Sequence, residues 1–232
     1  MAASCSSAYA QDGLGGLLPK LGGGGEAEAA KLVLLVTLVA IAPAFLAMVT
    51  SFTRIVVVLF FLRAGLGTPD IPPSQVLLGL ALFLTFFTMR PVLTDVHDQA
   101  LQPYFRGQIG TDQAIKTAEK PLRQFMFKHA RGTDIALFVR LGKLEQPRVR
   151  ADLPTSALIP AFIISELRTA FIIGFIIYLP FLVIDLVVAS TLVAVGAFML
   201  PPTLLSLPFK LLVFVLVDGW YLLTAALGQS FL

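Results

Sequence analysis

Residues 196–220 read GAFMLPPTLLSLPFKLLVFVLVDGW, an apolar run broken by Pro201, Pro202 and Pro208 and carrying one cation, Lys210, and one carboxylate, Asp218. Proline donates no backbone hydrogen bond and crowds the preceding turn. In lipid, the carbonyl groups it frees must find partners in protein or water. A broken, charged and otherwise oily segment therefore belongs inside an assembly or beside an aqueous path. On a single helix Lys210 and Asp218, eight residues apart, share a face.

The rest of the chain agrees with that class. Its 232 residues are 57% hydrophobic and 13% charged, where a soluble domain is about a quarter charged. This is an all-α integral membrane protein, or a chain whose apolar surface is covered by partner subunits. The net charge of +3 is small, and the phenylalanines lie inside apolar runs rather than among basic residues, which argues against a nucleic-acid face. Cys5 is the only cysteine, so no internal disulfide or cysteine-based metal site forms. His97 and His129 lack metal spacing, and neither GxxxxGK[ST] nor HExxH occurs. No cofactor, no metal and no catalytic residue are expected, and the chain is not read as an enzyme.

Working outward, four regions are expected. Residues 1–30 read as a leader: Ala8-Tyr9-Ala10 has the small-x-small form of a signal-peptidase site, though no apolar region precedes it, and Gly22–Gly25 has linker composition. Either this is the remnant of a signal peptide or the likeness is chance. Residues 31–91 form a first apolar hairpin. Its opening segment, Lys31–Leu66, holds Pro43 and a polar cluster, Thr50-Ser51-Phe52-Thr53-Arg54. As one helix it would be ~50 Å long against ~30 Å of hydrocarbon, so it is one kinked helix or two. A proline-rich turn at 67–73 leads to Ser74, an expected cap, and to the segment Gln75–Met89, which ends before Arg90-Pro91.

Residues 92–153 are a polar helical insertion. Across 90–155, eleven Lys and Arg face seven Asp and Glu, read as a solvated surface. Thr111 is the expected cap of a helix whose apolar face is Ala114, Ile115, Ala118, Leu122, Phe125 and Met126, with a second helix around Asp134–Leu144. The positive-inside tendency would put this insertion in the cytoplasm. A cleaved signal followed by two crossings would put it in the periplasm. The rule weakens for loops of about 60 residues, so the periplasm is expected. Residues 154–232 form the second apolar hairpin, with Pro180 dividing the stretch Ser156–Val195.

Within the apolar segments three cations, Arg54, Arg168 and Lys210, meet three anions, Glu166, Asp185 and Asp218. Isolated interior charges are costly, so pairing between helices or subunits is expected. Glu166 and Arg168, two apart, do not face each other on a helix. Three readings stand: structural ties around a shared pore, an ion or proton relay in a transporter, or charges at water interfaces. Equal numbers of opposite charges weigh mildly against the relay.

Several blocks carry a resemblance. MVTSFTR at 48–54, LGTP at 66–69 with Pro72-Pro73, GLALFLTFF at 79–87, SELRTAF at 165–171 with Ile173-Gly174-Phe175, IDLVVAS at 184–190, LPP at 200–202, LPFK at 207–210 and VLVDGW at 215–220 occur in order. Together they resemble the FliP/SctR export-gate family of type III secretion systems over about residues 32–231. The insertion joins the match at Pro121-Leu122-Arg123 and Asp134–Arg140. The resemblance implies a non-enzymatic channel subunit, five copies of which assemble with FliQ and FliR in a helical cone. Unfolded flagellar proteins pass through the cone across the bacterial inner membrane. It also implies FlhA, FlhB and the assembly factor FliO as partners, contact with membrane lipid, a place in the flagellar basal body, and part of the assembly above the bilayer on the periplasmic side. The family commonly carries consecutive methionines before the LPP-like prolines as a gasket closing the channel; here those positions are Ala197-Phe198-Met199. The resemblance thus places the constriction at Ala197, Phe198 and Met199, keeping the methionine only at the last. Arg168 stands where lysine is common and keeps the charge. An injectisome subunit is the alternative within the same resemblance; the ion-coupled transporter is the alternative outside it.

Overall fold

Runs of Leu, Ile, Val and Phe with few polar interruptions leave the backbone one way to satisfy itself away from water, the helix. The computed structural model of the chain describes residues 25–68, 70–144, 152–197 and 199–231. All regular structure among these residues is helical. The helices are α1 (Gly25–Met48), α2 (Phe52–Leu66) and α3 (Ser74–Val96), which continues through a π-helical turn (His97–Leu101) into the short α4 (Gln102–Phe105). The polar insertion supplies α5 (Thr111–His129) and α6 (Gly132–Leu141); then come α7 (Thr155–Ala194), α8 (Pro202–Leu216) and α9 (Gly219–Gln229). The expected leader falls outside the described residues up to position 24. Residues up to Phe45 make one compact unit, and residues from Leu46 make the other, which holds the packed core.

Several expected breaks are corrected. The helix α1 runs through Pro43, and the segment divides instead at residues 49–51. There the hydroxyls of Thr50 and Thr53 both bond the carbonyl of Ala47, at 3.3 and 3.2 Å. Such side-chain bonds compete with the helical ladder. Ser51, fully buried, meets the hydroxyl of Thr88 on α3 at 2.7 Å. Pro91, Pro180 and Pro208 all lie inside helices. Each removes one hydrogen bond, but breaking the helix in an apolar setting would strand several backbone groups. Of the expected breaks, only Pro201 and Pro202 mark a true one, as the N-cap and first residue of α8, where a missing N–H costs nothing. Likewise Ser74 and Thr111 are first helical residues rather than caps, which are Pro73 and Gly110.

The core is built on α2. Ile55, Val58, Leu59 and Leu62, spaced for one helical face, are almost wholly buried. They belong to the same cluster as Leu158 and Phe162 of α7 and Leu77 and Met89 of α3. Gly174 permits the close approach of α7: a Cβ there would lie 2.6 Å from the ring of Phe61. Of the face expected on α5, Phe125 and Met126 are buried, but Ile115 is exposed.

The 40 residues of α7 make ~60 Å of helix, about twice the hydrocarbon thickness. Both α7 and the continuous stretch Ser74–Phe105 are long and apolar enough to cross a membrane, and α8 with α9 forms a third such segment bent by 63°. Large apolar side chains stay exposed on α3 (Phe83, Phe86, Phe87) and on α7 (Phe171, Phe175, Leu186). Apolar surface of this extent belongs against lipid or protein.

Candidate functional site: interior ion pairs and a hairpin tip

The segment Ser165-Glu166-Leu167-Arg168 on α7 distributes its polar groups around the helix, since successive residues are turned by about 100°. Glu166 points into the core. Its carboxylate meets Arg54 of α2 through two contacts, Nε to Oε2 at 2.8 Å and Nη2 to Oε1 at 2.5 Å. The side chains are 4% and 0% exposed, a forked geometry that is among the strongest available to a charged pair. The other arm of Arg54 donates to the carbonyl oxygen of Ser230 at 2.7 Å and lies 3.0 Å from its hydroxyl, and the Phe231 ring sits 3.9 Å from the guanidinium carbon. One arginine thereby joins α2, α7 and the C-terminal turn. This burial rules out the reading of Arg54 as a charge at a water interface.

Ser165, one residue earlier, faces the polar insertion. Its hydroxyl donates to Asp134 Oδ2 at 2.7 Å, with the Ala161 carbonyl also within reach, and accepts the backbone N–H of Arg131 at 3.0 Å. Arg123 of α5 reaches the start of α7, bonding the Leu153 carbonyl at 2.6 Å and the Thr155 hydroxyl, which itself donates to Glu119. The reading of the insertion's charges as merely solvated is corrected for Arg123 and Asp134: they dock it on α7.

The second interior pair lies between α7 and α8. Lys210 Nζ is 2.6 Å from Asp185 Oδ2, and Ser206, one turn before Lys210, donates to Oδ1 at 2.5 Å. Lys210 is 5% and Asp185 27% exposed at the side chain. Both carboxylate oxygens of Asp185 are thus used. Among the described residues no buried side-chain polar atom lacks a partner, as an intact low-dielectric interior demands.

Lys210 and Asp218 do not share a helix face, which corrects that expectation. The helix α8 ends at Leu216, and Asp218 adopts the left-handed conformation (φ 52°, ψ 56°) at the start of α9. A side chain on the next residue, Gly219, would run into the Phe214 ring, so Asp-Gly-Trp makes the 63° elbow. Asp218 and Arg168 are both exposed and, among the described residues, neither side chain makes a hydrogen bond or ion pair. Of the expected constriction, Ala197 is half-buried and Met199 is 98% exposed, while Phe198 lies outside the described residues. The tip follows the end of α7, which Gly196 closes at φ 79° with the Ala197 N–H returning to the Leu192 carbonyl at 2.9 Å.

Ser165, Ser206, Arg123 and Ser51 were not among the expected site residues. Ser165 adjoins Glu166, and Ser206 precedes Lys210 by one helical turn; that adjacency was the available signal.

His129, in the polar insertion, adds a pH-sensitive contact. Its Nδ1 lies 2.9 Å from the Phe125 carbonyl and its ring packs on Phe125 and Phe231. Burial, and then the positive charges of Arg54 and Lys128, hold its pKa below 6.5, although the backbone bonds of Phe125 and Phe231 oppose this. The unfolded chain therefore binds a proton that the folded chain refuses between the two pKa values. Stability rests in full above about 6.5 and is lost as pH falls toward the lower folded value. The expected result is a melting temperature in detergent that drops on going from pH 7.5 to 5.5, with a shallower slope in His129→Gln. Parallel slopes would show that another group sets the pH response.

Fold and charges together define a membrane-type helical protein whose interior charges are arranged as ties. The FliP family model matches residues 35–227. The Bacillus subtilis protein named flagellar biosynthetic protein FliP is 53% identical over 201 residues, covering 87% of this chain and 91% of that protein. Proteins of the same name from Pectobacterium carotovorum and Aquifex aeolicus are 55% identical over 200 residues (86% and 77%) and 44% over 214 (91% and 90%). The chain belongs to the FliP family.

Proposed function

We propose that this chain is a core channel subunit of the flagellar type III protein export apparatus, in the inner membrane at the flagellar basal body. The observation that carries this reading is the family match across nearly the whole chain, at 44–55% identity to the three relatives above, all named flagellar biosynthetic proteins. The physical features agree. Helices longer than a bilayer, interior ion pairs and wide exposed apolar faces suit a subunit packed among others.

In this reading about five copies form a ring with FliQ and FliR, and FlhB, FlhA and FliO are further partners. Unfolded flagellar proteins pass through the ring. The residue 92–153 insertion and part of the cone project to the periplasmic side. The tip at Ala197–Met199 closes the channel, supported by a methionine that is 98% exposed and adaptable by nature. No catalytic role is assigned to any residue.

Native mass spectrometry of the detergent-extracted chain, co-expressed with FliQ and FliR, tests this. A complex holding about five copies with both partners is the expected result. A stable monomer or dimer that ignores both would overturn it. Loss of flagella, rather than loss of effector secretion, on deleting the gene separates the flagellar role from that of an injectisome.

A further inference from the structure

Seven charges sit within α2, α7, α8 and the elbow between α8 and α9, and the chain itself pairs four of them. Arg54 with Glu166, and Lys210 with Asp185, leave Arg63, Arg168 and Asp218. Arg63 donates to the Ser74 hydroxyl at 2.9 Å and lies over the Phe60 ring, so Arg168 and Asp218 are the two with no contact of their own among the described residues. The remaining charges of the long α3 stretch, Arg90, Asp95 and Asp98, lie toward its polar end. Arg168 and Asp218 do not. Exposed Ile164, Phe171 and Ile172 surround Arg168 in sequence, and exposed Leu216, Val217 and Tyr221 flank Asp218.

Water would satisfy such a charge, but the exposed large apolar side chains on both sides of each residue do not suit a water-facing surface; three other covers are possible. Hydrocarbon disfavours it. An apolar protein surface would strand it, because a desolvated charge needs an opposite charge. A partner that brings that opposite charge satisfies it. A second copy of this chain offers the missing acid and the missing base at once, one of each per subunit. A head-to-tail contact repeated around a closed ring would use every one of them.

The elbow adds a second argument. Asp218 holds a left-handed backbone that glycine would adopt more cheaply. Aspartate at such a position usually recovers the cost through a local side-chain bond, and here it makes none. An outlier kept without local compensation points to use of the side chain elsewhere.

We infer that Arg168 of one copy pairs with Asp218 of the next, as the charged contact of the interface between copies. The inference rests on the ring reading above and specifies its contact. Its test uses the full chain with two opposite changes. Arg168→Asp sets two carboxylates against each other at the interface, and Asp218→Arg sets two guanidinium groups. Native mass spectrometry is expected to show each single variant losing the oligomer tenfold or more, while still eluting as a monodisperse monomer. Both changes in one chain restore the ring to within about twofold of the unmodified protein. Co-expressed with the unmodified chain under a different tag, the doubly changed chain is expected to segregate into separate rings, because a mixed contact sets like charges against each other. If the unmodified chain assembles but the doubly changed chain stays as monomeric as the singles, the pairing is wrong while the ring reading survives. Free mixing of the two chains in one ring would place the contact inside a subunit and overturn the proposal. Should either single variant not fold, the doubly changed chain decides by itself. A monomeric unmodified chain would sink the ring and the pairing together.

Discussion

Glu166→Ala is expected to leave too little folded protein for motility. The change strands the Arg54 guanidinium, 3% exposed, with only Ser230 and the Phe231 ring beside it. Breaking a buried ion pair from one side costs about 3–5 kcal/mol, a large share of a typical stability of about 5–15 kcal/mol. For a chain of this size that corresponds to a fall of roughly 10 °C in melting temperature. Arg54→Ala should do the same and also release the C-terminal turn. The informative comparison is the double variant Arg54→Met with Glu166→Leu. Replacing both partners by apolar groups removes the stranded charge, and such exchanges are often near neutral. The double should therefore melt above either single alanine variant. Thermal melts in detergent, read beside swimming assays, would decide. A Glu166→Ala chain that melts and swims like the unmodified protein would show that the pair does not hold the fold.

The second large effect is asymmetric. Asp185→Ala removes the one counter-charge that Lys210, 5% exposed at the side chain, has among the described residues, and takes the carboxylate acceptor from Ser206. A loss of about 3–5 kcal/mol is expected, with export abolished. Lys210→Met is milder, about 1–3 kcal/mol, because Asp185 keeps the Ser206 hydrogen bond and is 27% exposed, enough to regain water. Asp185→Asn should fall between, holding the Ser206 contact without the charge. The check is the ranking of the three variants by melting temperature and by flagellin in the culture medium. Lys210→Met proving more harmful than Asp185→Ala would contradict the burial argument. It would point instead to a direct role of the ammonium group in export.

The two pairs also show how tertiary packing outranks local signals. Pro43, Pro180 and Pro208 look alike in the sequence and were expected to interrupt helices. All three lie within continuous helix. One missing hydrogen bond is a small loss where the alternative exposes a whole turn of backbone to an apolar medium. The real break at 49–51 has no proline; it comes from hydroxyl groups that bond the Ala47 carbonyl and Thr88. The capping assignments at Ser74 and Thr111 missed by one residue, the usual uncertainty of helix ends.

What the sequence determined by itself is the class, the family and the charges carried by the apolar segments, of which Arg168 and Asp218 proved exposed. Apolar periodicity and composition are local and additive, so they survive without coordinates. The blocks around 54, 166, 185, 210 and 218 were legible as motifs for the same reason. The partners were decided only by the tertiary structure. Arg54 and Glu166 are 112 residues apart and Lys210 and Asp185 are 25, and no local rule relates them. Their pairing follows from how α2, α7 and α8 pack. The same packing sends Ser165 to the insertion and Glu166 to the core, although they are neighbours in the chain. It also leaves Arg168 and Asp218 exposed, because the core closes around the two complete pairs.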